Sequence, residues 1–239
     1  MSSIDGVVAG QGVTPGAVSL RSEADRFTMG LLRACAGAVV IGAGTFRPDP
    51  RHRWTPGHIY PPAADAFARL RRHLGYPADP PLVVVTASGR LGDTLDALIP
   101  GSLVVTTRAG AAALSGRLPP GAEVVVLQAQ GPVPLRAVTR LLAERGHRRV
   151  LSEGGPRLFG ELLAEGLVDE LFLTLSPVLL GGVPGAVGLA GDVPLWSPGR
   201  SAHRPPVSLL GVRRHRSHLF LRYALRGPSP SSPGEPPGR

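Results

Sequence analysis

Short apolar runs alternate along the chain with segments in which apolar residues recur at helical spacing. Runs that are apolar almost throughout, as in residues 38–42, are typical of strands buried on both faces of a sheet. These runs and their neighbours predict strands at residues 38–42, 82–86, 103–106, 123–127, 148–152, 170–176, 207–212 and 218–225. The last two are expected to close the fold as an antiparallel pair.

Helical periodicity lies between these strands, at residues 22–35, 64–74, 135–145 and 156–165. Ser22 is suited to cap the first helix, since Asp25 follows three residues later in a variant of the capping box. Pro156 stands in the first turn of the last helix, where a missing N–H does no harm. Residues 47–62 are rich in proline, arginine and histidine and predict a loop. Strands that alternate with helices favour an α/β fold with a mostly parallel sheet.

The chain of 239 residues is long enough to bury a sizeable core. We expect one domain over residues 1–226. Residues 227–239 contain 11 glycine, proline or serine residues out of 13, which predicts a disordered tail. No run of about 18 apolar residues occurs, so no membrane span is expected. The first residues lack the basic and apolar regions of a signal peptide, so the cytoplasm is the expected location.

Arginine supplies all 26 basic residues, and the chain contains no lysine. That absence excludes a Walker A loop, a pyridoxal Schiff base and a lysine nucleophile. Cys35 is the single cysteine, which excludes a disulfide framework and a cysteine-based metal site. The formal net charge of +9 favours a phosphorylated ligand. The C-terminal arginines lack the interleaved aromatic residues that nucleic-acid binding would favour, so no nucleic-acid partner is expected.

A glycine turn follows the predicted strand at residues 38–42. Gly42 and Gly44 have no Cβ, so a ligand can approach the backbone of this turn closely, beside Thr45. The turn does not match the dinucleotide fingerprint, because no third glycine follows at the required spacing. An ordinary strand-to-loop turn is the alternative interpretation.

A second glycine turn joins a strand to a helix N-terminus at residues 152–156. The backbone N–H groups of Gly154, Gly155 and the first helical turn would attract an anion such as a pyrophosphate. Glu153 is unfavourable beside a phosphate unless it faces elsewhere or is partly protonated. The alternative is that Glu153 caps backbone N–H groups.

Hydroxyl groups and an arginine follow two further strands. Thr86, Ser88 and Arg90 come after the strand at residues 82–86, and Thr106 ends the next one. Such side chains could hold the 2′-phosphate of a nucleotide, because ligands of open α/β sheets lie at the carboxyl ends of the strands. Taken singly, each loop favours a solvated turn over a binding site, and Asp5 before Gly6 and Asp49 before Pro50 favour turn residues over catalytic ones.

Taken in order, these motifs resemble the reductase domain of the riboflavin-biosynthesis deaminase/reductase, and especially its stand-alone relatives. The matching stretches are residues 2–6, 25–34, 40–45, 49–50, 151–156, 167–171 and 176–182. The resemblance implies a dihydrofolate-reductase-like fold, a three-layer α/β/α arrangement with a mixed, mostly parallel central sheet. It also implies a homodimer that forms through the late strands.

The resemblance further implies NADPH as cofactor and 5-amino-6-(5-phosphoribosylamino)uracil as substrate, with hydride transfer reducing the ribosyl group to a ribityl chain. Glu153 and Asp49 are the expected catalytic carboxyls, Glu153 being the first candidate for the proton donor. Asp5, Arg26 and Arg47 are the expected substrate contacts. The expected cofactor contacts are Gly42, Gly44, Thr45, Thr86, Ser88, Arg90, Thr106, Gly154, Gly155 and Pro156.

Three departures from the family pattern bear on the function. The chain starts almost on the Ser-Ser-Ile-Asp-Gly motif, so the first strand is expected to be short. Val7 stands where these reductases commonly carry a basic residue, so Arg26, Arg47 or Arg51 would have to recognise the substrate phosphate. The zinc signature of the deaminase half is absent, so only the reductase activity is expected.

Two alternatives keep the fold and the cofactor. One is a reductase of dihydrofolate, another pteridine or another carbonyl compound. The other is a non-catalytic NADP-binding dimer, which would bind the cofactor without turning over any pyrimidine or pteridine.

Overall fold

Two groups of strands and the helices between them make up the fold, which a computed structural model describes over residues 1–195 and 207–225. The helices are α1 (Pro15–Ser19), α2 (Glu23–Cys35), α3 (Ala43–Phe46), α4 (Pro56–Ile59), α5 (Ala64–His73), α6 (Arg108–Ala113), α7 (Leu135–Glu144) and α8 (Pro156–Ala164). The strands are β1 (Ser2–Ser3), β2 (Ala38–Gly42), β3 (Leu82–Val85), β4 (Leu103–Thr107), β5 (Glu123–Gln128), β6 (Val150–Ser152), β7 (Glu170–Ser176), β8 (Ser208–His215) and β9 (His218–Ala224). The tail predicted at residues 227–239 lies outside the described residues.

A parallel sheet of five strands has the order β5-β4-β3-β2-β6. A second sheet has the order β1-β7-β9-β8, in which β1 runs parallel to β7 and the other neighbours pair antiparallel. The mixed, mostly parallel arrangement and the late antiparallel pair are therefore confirmed, but the strands are hydrogen-bonded in two sheets rather than one. β1 contains only Ser2 and Ser3, and a strand of two residues offers few N–H and C=O groups for a further neighbour.

Consecutive residues of the central strands pack on opposite faces of the five-stranded sheet. Ile41 faces a cluster that contains Phe46 and Trp54, whereas Val40 faces the apolar sides of α7 and α8. This alternation follows from the two-residue period of a strand. Both faces of the sheet are thus covered, which is the three-layer arrangement that the sequence predicts.

Several short helices were not expected from the sequence, namely α1, α3, α4 and α6. Residues 47–62, predicted as a loop, contain α4 and a 3₁₀ turn at Pro61–Ala63. Helices of four to six residues complete fewer than two turns and show no apolar periodicity. No helix within the described ranges is long and apolar enough to cross a membrane.

Both ends of α2 are held by side chains. At its start the Ser22 hydroxyl accepts a hydrogen bond from the N–H of Asp25 at 3.3 Å, as the sequence predicts. At its end the fully buried Arg71 of α5 donates to the carbonyl oxygens of Arg33, Ala34 and Ala36, at 3.1, 3.3 and 2.7 Å. A guanidinium supplies donors to carbonyl groups that a helix leaves unpaired at its C-terminus. The position of Arg33 is therefore fixed by the fold around it.

Candidate active site

The two predicted glycine turns lie side by side at the carboxyl ends of neighbouring strands. β2 and β6 pair in parallel, with Val40 opposite Ser152, and the N–H of Glu153 donates to the carbonyl oxygen of Val40 at 2.9 Å. A Cβ atom on Gly155 would lie 3.2 Å from the Thr45 hydroxyl oxygen. Gly44 and Thr45 lie in α3, so the predicted Gly42–Thr45 turn is the junction of β2 with a short helix rather than a loop. The structure thus brings this Gly42–Thr45 turn and the 152–156 turn together.

The N-terminus of α8 faces this junction without a side-chain cap. Gly155 is its N-cap residue and makes no side-chain hydrogen bond to the helix, and Pro156 is its first residue. The backbone N–H groups of the first turn are therefore available to a ligand. Packing explains why residue 154 is glycine, because a Cβ atom there would lie 2.7 Å from a methyl carbon of Leu158. Gly44, in contrast, is exposed and has open space around its Cβ position.

The 86–90 loop folds against the start of α6. Gly89 adopts a φ of +68°, and a Cβ atom there would lie 2.2 Å from the carbonyl oxygen of Gly110, so only glycine fits. The Thr86 hydroxyl accepts from the N–H of Gly89 at 3.2 Å and is buried, and Thr106 is fully buried. Ser88 and Arg90 are exposed. Of the four predicted cofactor contacts in this region, Ser88 and Arg90 are therefore the two that a ligand could reach directly.

A guanidinium–carboxylate pair lies next to the glycine turns. Arg33 of α2 donates from Nε and Nη2 to the two carboxylate oxygens of Glu153, each at 2.7 Å. The side chains of Arg33 and Glu153 are 3% and 11% exposed, so this is a buried ion pair. Both oxygens of Glu153 therefore act as acceptors, a contact that the sequence did not reveal.

The other donors of Arg33 hold the 47–62 segment. Nη1 donates to the carbonyl oxygens of Arg53 and Thr55, and Nη2 also contacts Nε2 of His52, all at 3.3 Å. All five N–H groups of the guanidinium thus have a partner. Because a guanidinium can only donate, Nε2 of His52 accepts, and the ring proton lies on Nδ1. Nδ1 is 3.6 Å from a carboxylate oxygen of Asp49.

The two predicted catalytic carboxyls, Glu153 and Asp49, are therefore connected through Arg33 and His52. Burial, the charge of Arg33 and the neighbouring His58 lower the pKa of His52 from 6.5 to about 4, against the opposing effect of Asp49. His52 is consequently neutral at physiological pH. The catalytic roles of Glu153 and Asp49 stay predictions.

Asp25, in the first turn of α2, is a half-buried carboxyl that the sequence identifies only as part of a helix cap. Burial raises its pKa and the nearby charge of Glu153 adds to the effect, while a hydrogen bond with Thr174 and the charges of the Met1 amino group and His218 oppose it. A carboxyl of this kind keeps its proton to higher pH than an exposed one. Asp25 is thus a further acid whose pKa is raised, first by burial and then by the charge of Glu153.

The three predicted substrate contacts have other partners. Asp5 accepts from the Ser3 hydroxyl at 2.5 Å and from the N–H of Leu180 at 3.1 Å, and these bonds hold its pKa below the ordinary value. Arg26 lies 3.9 Å from Glu23, and Arg47 donates to the carbonyl oxygen of Arg90 at 3.2 Å. Arg47 therefore lies against the 86–90 loop. Substrate binding by these residues stays a prediction.

Residues 1–204 match the family described as the RibD C-terminal domain. The chain belongs to this family. Membership confirms the resemblance that the sequence motifs indicate. The matched residues end before β8 and β9, which extend the second sheet from β7 in the order β7-β9-β8.

Similar proteins include one named 2,5-diamino-6-ribosylamino-4(3H)-pyrimidinone 5′-phosphate reductase, from Archaeoglobus fulgidus. It is 28% identical over 184 residues, which are 76% of this chain and 79% of that protein. A pyrimidine reductase-like protein from Corynebacterium diphtheriae has a TM-score of 0.70 and 23% identity, covering 95% of this chain and 90% of that one.

A Thermotoga maritima protein is named diaminohydroxyphosphoribosylaminopyrimidine deaminase/5-amino-6-(5-phosphoribosylamino)uracil reductase. Its TM-score is 0.64 at 20% identity, over 94% of this chain and 54% of that one, so this chain spans about half its length. These structural similarities confirm the dihydrofolate-reductase-like fold.

Replacing Arg33 tests whether the buried ion pair holds this RibD-type site together. Arg33→Met should lower the free energy of unfolding by about 3–5 kcal/mol, because it leaves the Glu153 carboxylate buried and unpaired. The exposed pair of Arg145 and Glu123 has the same two-bond geometry, at 2.6 and 2.8 Å, and provides the matched control. Arg145→Met should cost about 1 kcal/mol or less. Urea unfolding measures both.

The double variant Arg33→Met/Glu153→Leu should recover part of the loss, since it removes the unpaired charge. Equal losses in Arg33→Met and Arg145→Met, or no recovery in the double variant, would contradict the role given to this pair.

The lowered pKa of His52 predicts a pH-dependent contribution to stability. Between pH 6.5 and pH 4 the unfolded chain binds a proton at this position and the folded protein does not. The contribution of neutral His52 is therefore present above pH 6.5 and is lost as the pH falls through about 4. In His52→Asn, the difference in unfolding free energy from the natural chain should narrow between pH 7 and pH 4.

Urea unfolding at several pH values measures this difference. His73→Asn, at an exposed position of α5, is the control, in which the pH dependence of the natural chain should persist. A difference between the natural chain and His52→Asn that stays constant with pH would show that folding does not shift the pKa of His52, which would contradict the prediction.

Proposed function

We propose that this chain is an NADPH-dependent reductase of riboflavin biosynthesis that acts on 5-amino-6-(5-phosphoribosylamino)uracil. The observation that carries the proposal is the uncapped start of α8 beside the Gly42–Thr45 turn, next to the pair of Arg33 and Glu153. Membership in the RibD C-terminal domain family and the names of the Archaeoglobus and Thermotoga proteins support it.

The residues at the strand ends fit a reduced nicotinamide dinucleotide. The N–H groups at the start of α8, after Gly155, would bind the diphosphate, and the open space at Gly44 would admit the ligand close to the backbone. Arg47, Ser88 and Arg90 would hold the 2′-phosphate, since Arg47 is hydrogen-bonded to the 86–90 loop. When bound, the cofactor supplies the hydride.

The reaction consumes one hydride and one proton. The C1′–O4′ bond of the ribose opens to an imine, with O4′ gaining a proton and the exocyclic nitrogen losing one. The hydride then adds to C1′, and a proton adds to the nitrogen. The chain must hold C1′ in place, exclude water and supply an acid.

We assign the proton to Asp25 and the orientation of the substrate to Glu153. Both oxygens of Glu153 accept from Arg33, which fixes this carboxylate as an acceptor beside the glycine turns. Asp25 keeps its proton to higher pH, because burial and the charge of Glu153 raise its pKa. This assignment differs from the sequence prediction, which has Glu153 as the donor.

We further propose that the protein is a homodimer. Through their pairing, Leu209, Val212 and Leu219 share one face of the second sheet with half-buried leucines of β7 and β9. The three side chains are 53%, 44% and 36% exposed. An open apolar sheet face favours a symmetric contact with a second copy. A cytoplasmic location is part of the proposal, since cofactor and substrate are both charged and cross no lipid bilayer unaided.

An assay of NADPH oxidation tests the reductase. We expect turnover with 5-amino-6-(5-phosphoribosylamino)uracil and none with dihydrofolate. The 2,5-diaminopyrimidinone analogue, which carries an amino group in place of the 2-oxo group, measures the preference between the two pyrimidines. Turnover of dihydrofolate alone would identify a pteridine reductase, and cofactor binding without any turnover would identify a non-catalytic protein.

Variants in the same assay separate the two carboxyls. Asp25→Asn should lower kcat by about 100-fold or more and alter the pH profile, because it removes the proton donor. Glu153→Gln should lower kcat but leave the KM of NADPH nearly unchanged. Glu144→Gln, on the exposed surface of α7, is the control. A parallel loss of cofactor binding in Glu153→Gln would make Glu153 a structural cap of the turn.

Sedimentation velocity tests the dimer. Val212→Glu should convert a dimer into monomers, because it places a charge in the apolar contact. Val126→Glu, at a similarly exposed apolar position of β5, should leave the dimer intact. A natural chain that sediments as a monomer at assay concentrations would refute the dimer without affecting the reductase proposal.

A further inference from the structure

The imidazole ring of His52 is held in place by aromatic packing. Its centroid lies 4.8 Å from that of Trp54 and 4.9 Å from that of His58, both in edge-on contacts. Trp54 is buried and stacks in turn on the fully buried Phe46, with ring centroids 6.1 Å apart. Contacts between aromatic rings favour particular orientations. The core beneath the 47–62 segment therefore orients this ring as well as covering it.

The two ring nitrogens of His52 face groups of opposite charge. Nε2 is 3.3 Å from Nη2 of Arg33, and Nδ1 is 3.6 Å from a carboxylate oxygen of Asp49. Because a guanidinium only donates and a carboxylate only accepts, both neighbours favour a proton on Nδ1 and a lone pair on Nε2. Burial and the charge of Arg33 lower the pKa of His52 to about 4, in agreement with a neutral ring. The ring is thus an acceptor towards Arg33.

Nη2 of Arg33 divides its two N–H groups between Glu153 and His52. One donates to Oε2 of Glu153 at 2.7 Å, and the other faces Nε2 of His52. The guanidinium is planar and rigid, so a rotation that found another acceptor for the second N–H would also carry the first one away from the carboxylate. Without the lone pair of His52, a buried and charged donor would lose its partner, which is unfavourable. The orientation of the Glu153 carboxylate therefore depends on His52 as well as on Arg33.

The remaining acceptors of Arg33 are backbone groups and lie on its other arm. Nη1 donates to the carbonyl oxygens of Arg53 and Thr55, each at 3.3 Å. Within residues 1–195 and 207–225, Glu153 and His52 are the two side chains that are hydrogen-bonded to this guanidinium. His52 is therefore the side chain on which the second N–H of Nη2 relies.

We propose that His52 is a positioning residue of the candidate site: by accepting from Nη2 of Arg33, it holds the guanidinium in its two-bond contact with Glu153 and so keeps this carboxylate in the orientation that turnover requires. The proposal rests on the proposed function, in which Glu153 orients the substrate. It goes further, because it gives a role in turnover to a residue that acts through another. A substitution that keeps an acceptor at the position of Nε2 should therefore keep turnover.

Two substitutions of His52 separate the acceptor from the rest of the ring. Counted in bonds from Cβ, the amide oxygen of glutamine corresponds to Nε2 of histidine, and that of asparagine corresponds to Nδ1. Both variants lose the aromatic contacts, so a difference between them reports on the acceptor alone. His52→Asn should lower kcat for the pyrimidine substrate by about tenfold, because Arg33 loses its acceptor, whereas His52→Gln should keep most of the natural kcat.

The KM of NADPH should be unchanged in both variants. His73→Asn and His73→Gln, at an exposed position of α5, are the matched controls and should behave as the natural chain. Equal losses of kcat in His52→Asn and His52→Gln would show that the ring acts by packing, and a smaller loss in His52→Asn would show that it acts through Asp49. Either result would refute the proposal, as would an unchanged kcat in both variants or a rise in the KM of NADPH.

NMR of the imidazole nitrogens tests the hydrogen bond without any substrate. At neutral pH the natural chain should show His52 with a protonated Nδ1 and an unprotonated Nε2, and the spectrum of His52→Gln, from which these signals are missing, assigns them. A ring that is protonated on Nε2, or on both nitrogens, would refute the proposal. A natural chain that has the expected tautomer but reduces no pyrimidine would refute the reductase proposal on which this one rests. Turnover by the natural chain together with the wrong tautomer would refute the role of His52 alone.

Discussion

The candidate site depends on one buried guanidinium. Arg33 uses all five of its N–H groups, two on Glu153, one on His52 and two on carbonyl oxygens of the 47–62 segment. Burying an arginine costs least free energy when its charge is paired and its donors have acceptors. The end of β6, the C-terminal half of α2 and an otherwise irregular segment are therefore held in one arrangement. Arg71 extends this arrangement, because its bonds to the end of α2 fix the backbone from which Arg33 projects.

The sequence predicted the parts of the fold that depend on local pattern. The central strands are apolar runs because the sheet is covered on both faces, and glycines follow two of these strands where they end. Neighbouring strands in a parallel sheet end at the same edge, so the meeting of the two glycine turns could be anticipated once β2 and β6 were expected to pair. The short helices could not be predicted, since four to six residues show no apolar periodicity. The division of the strands into two sheets could not be predicted either.

The contacts that organise the site could not be predicted from the sequence, for a different reason. Arg33 and Glu153 are 120 residues apart in the chain. No local sequence pattern predicts a contact between residues so far apart in the chain. One signal was present: Arg33 lies among Gly30 and Ala34 on the buried side of α2, and a charged residue at such a position requires a buried partner. Asp25 was recognised as part of a helix cap, which it is, while its burial against β7 depends on the tertiary fold.

The pair also explains how a carboxylate can stand beside a site suited to an anion. An isolated Glu153 carboxylate next to the start of α8 would repel a diphosphate, but the bidentate bond to Arg33 neutralises it locally. Arginine is suited to this task because it is not deprotonated in proteins, so the neutralisation persists at any physiological pH. The pKa values of two other groups, Asp25 and His52, are shifted chiefly by burial, and the charges of Glu153 and Arg33, respectively, add to these shifts. A permanent charge pair thus sets the geometry, and in the mechanism that we propose a separate acid, Asp25, exchanges the proton.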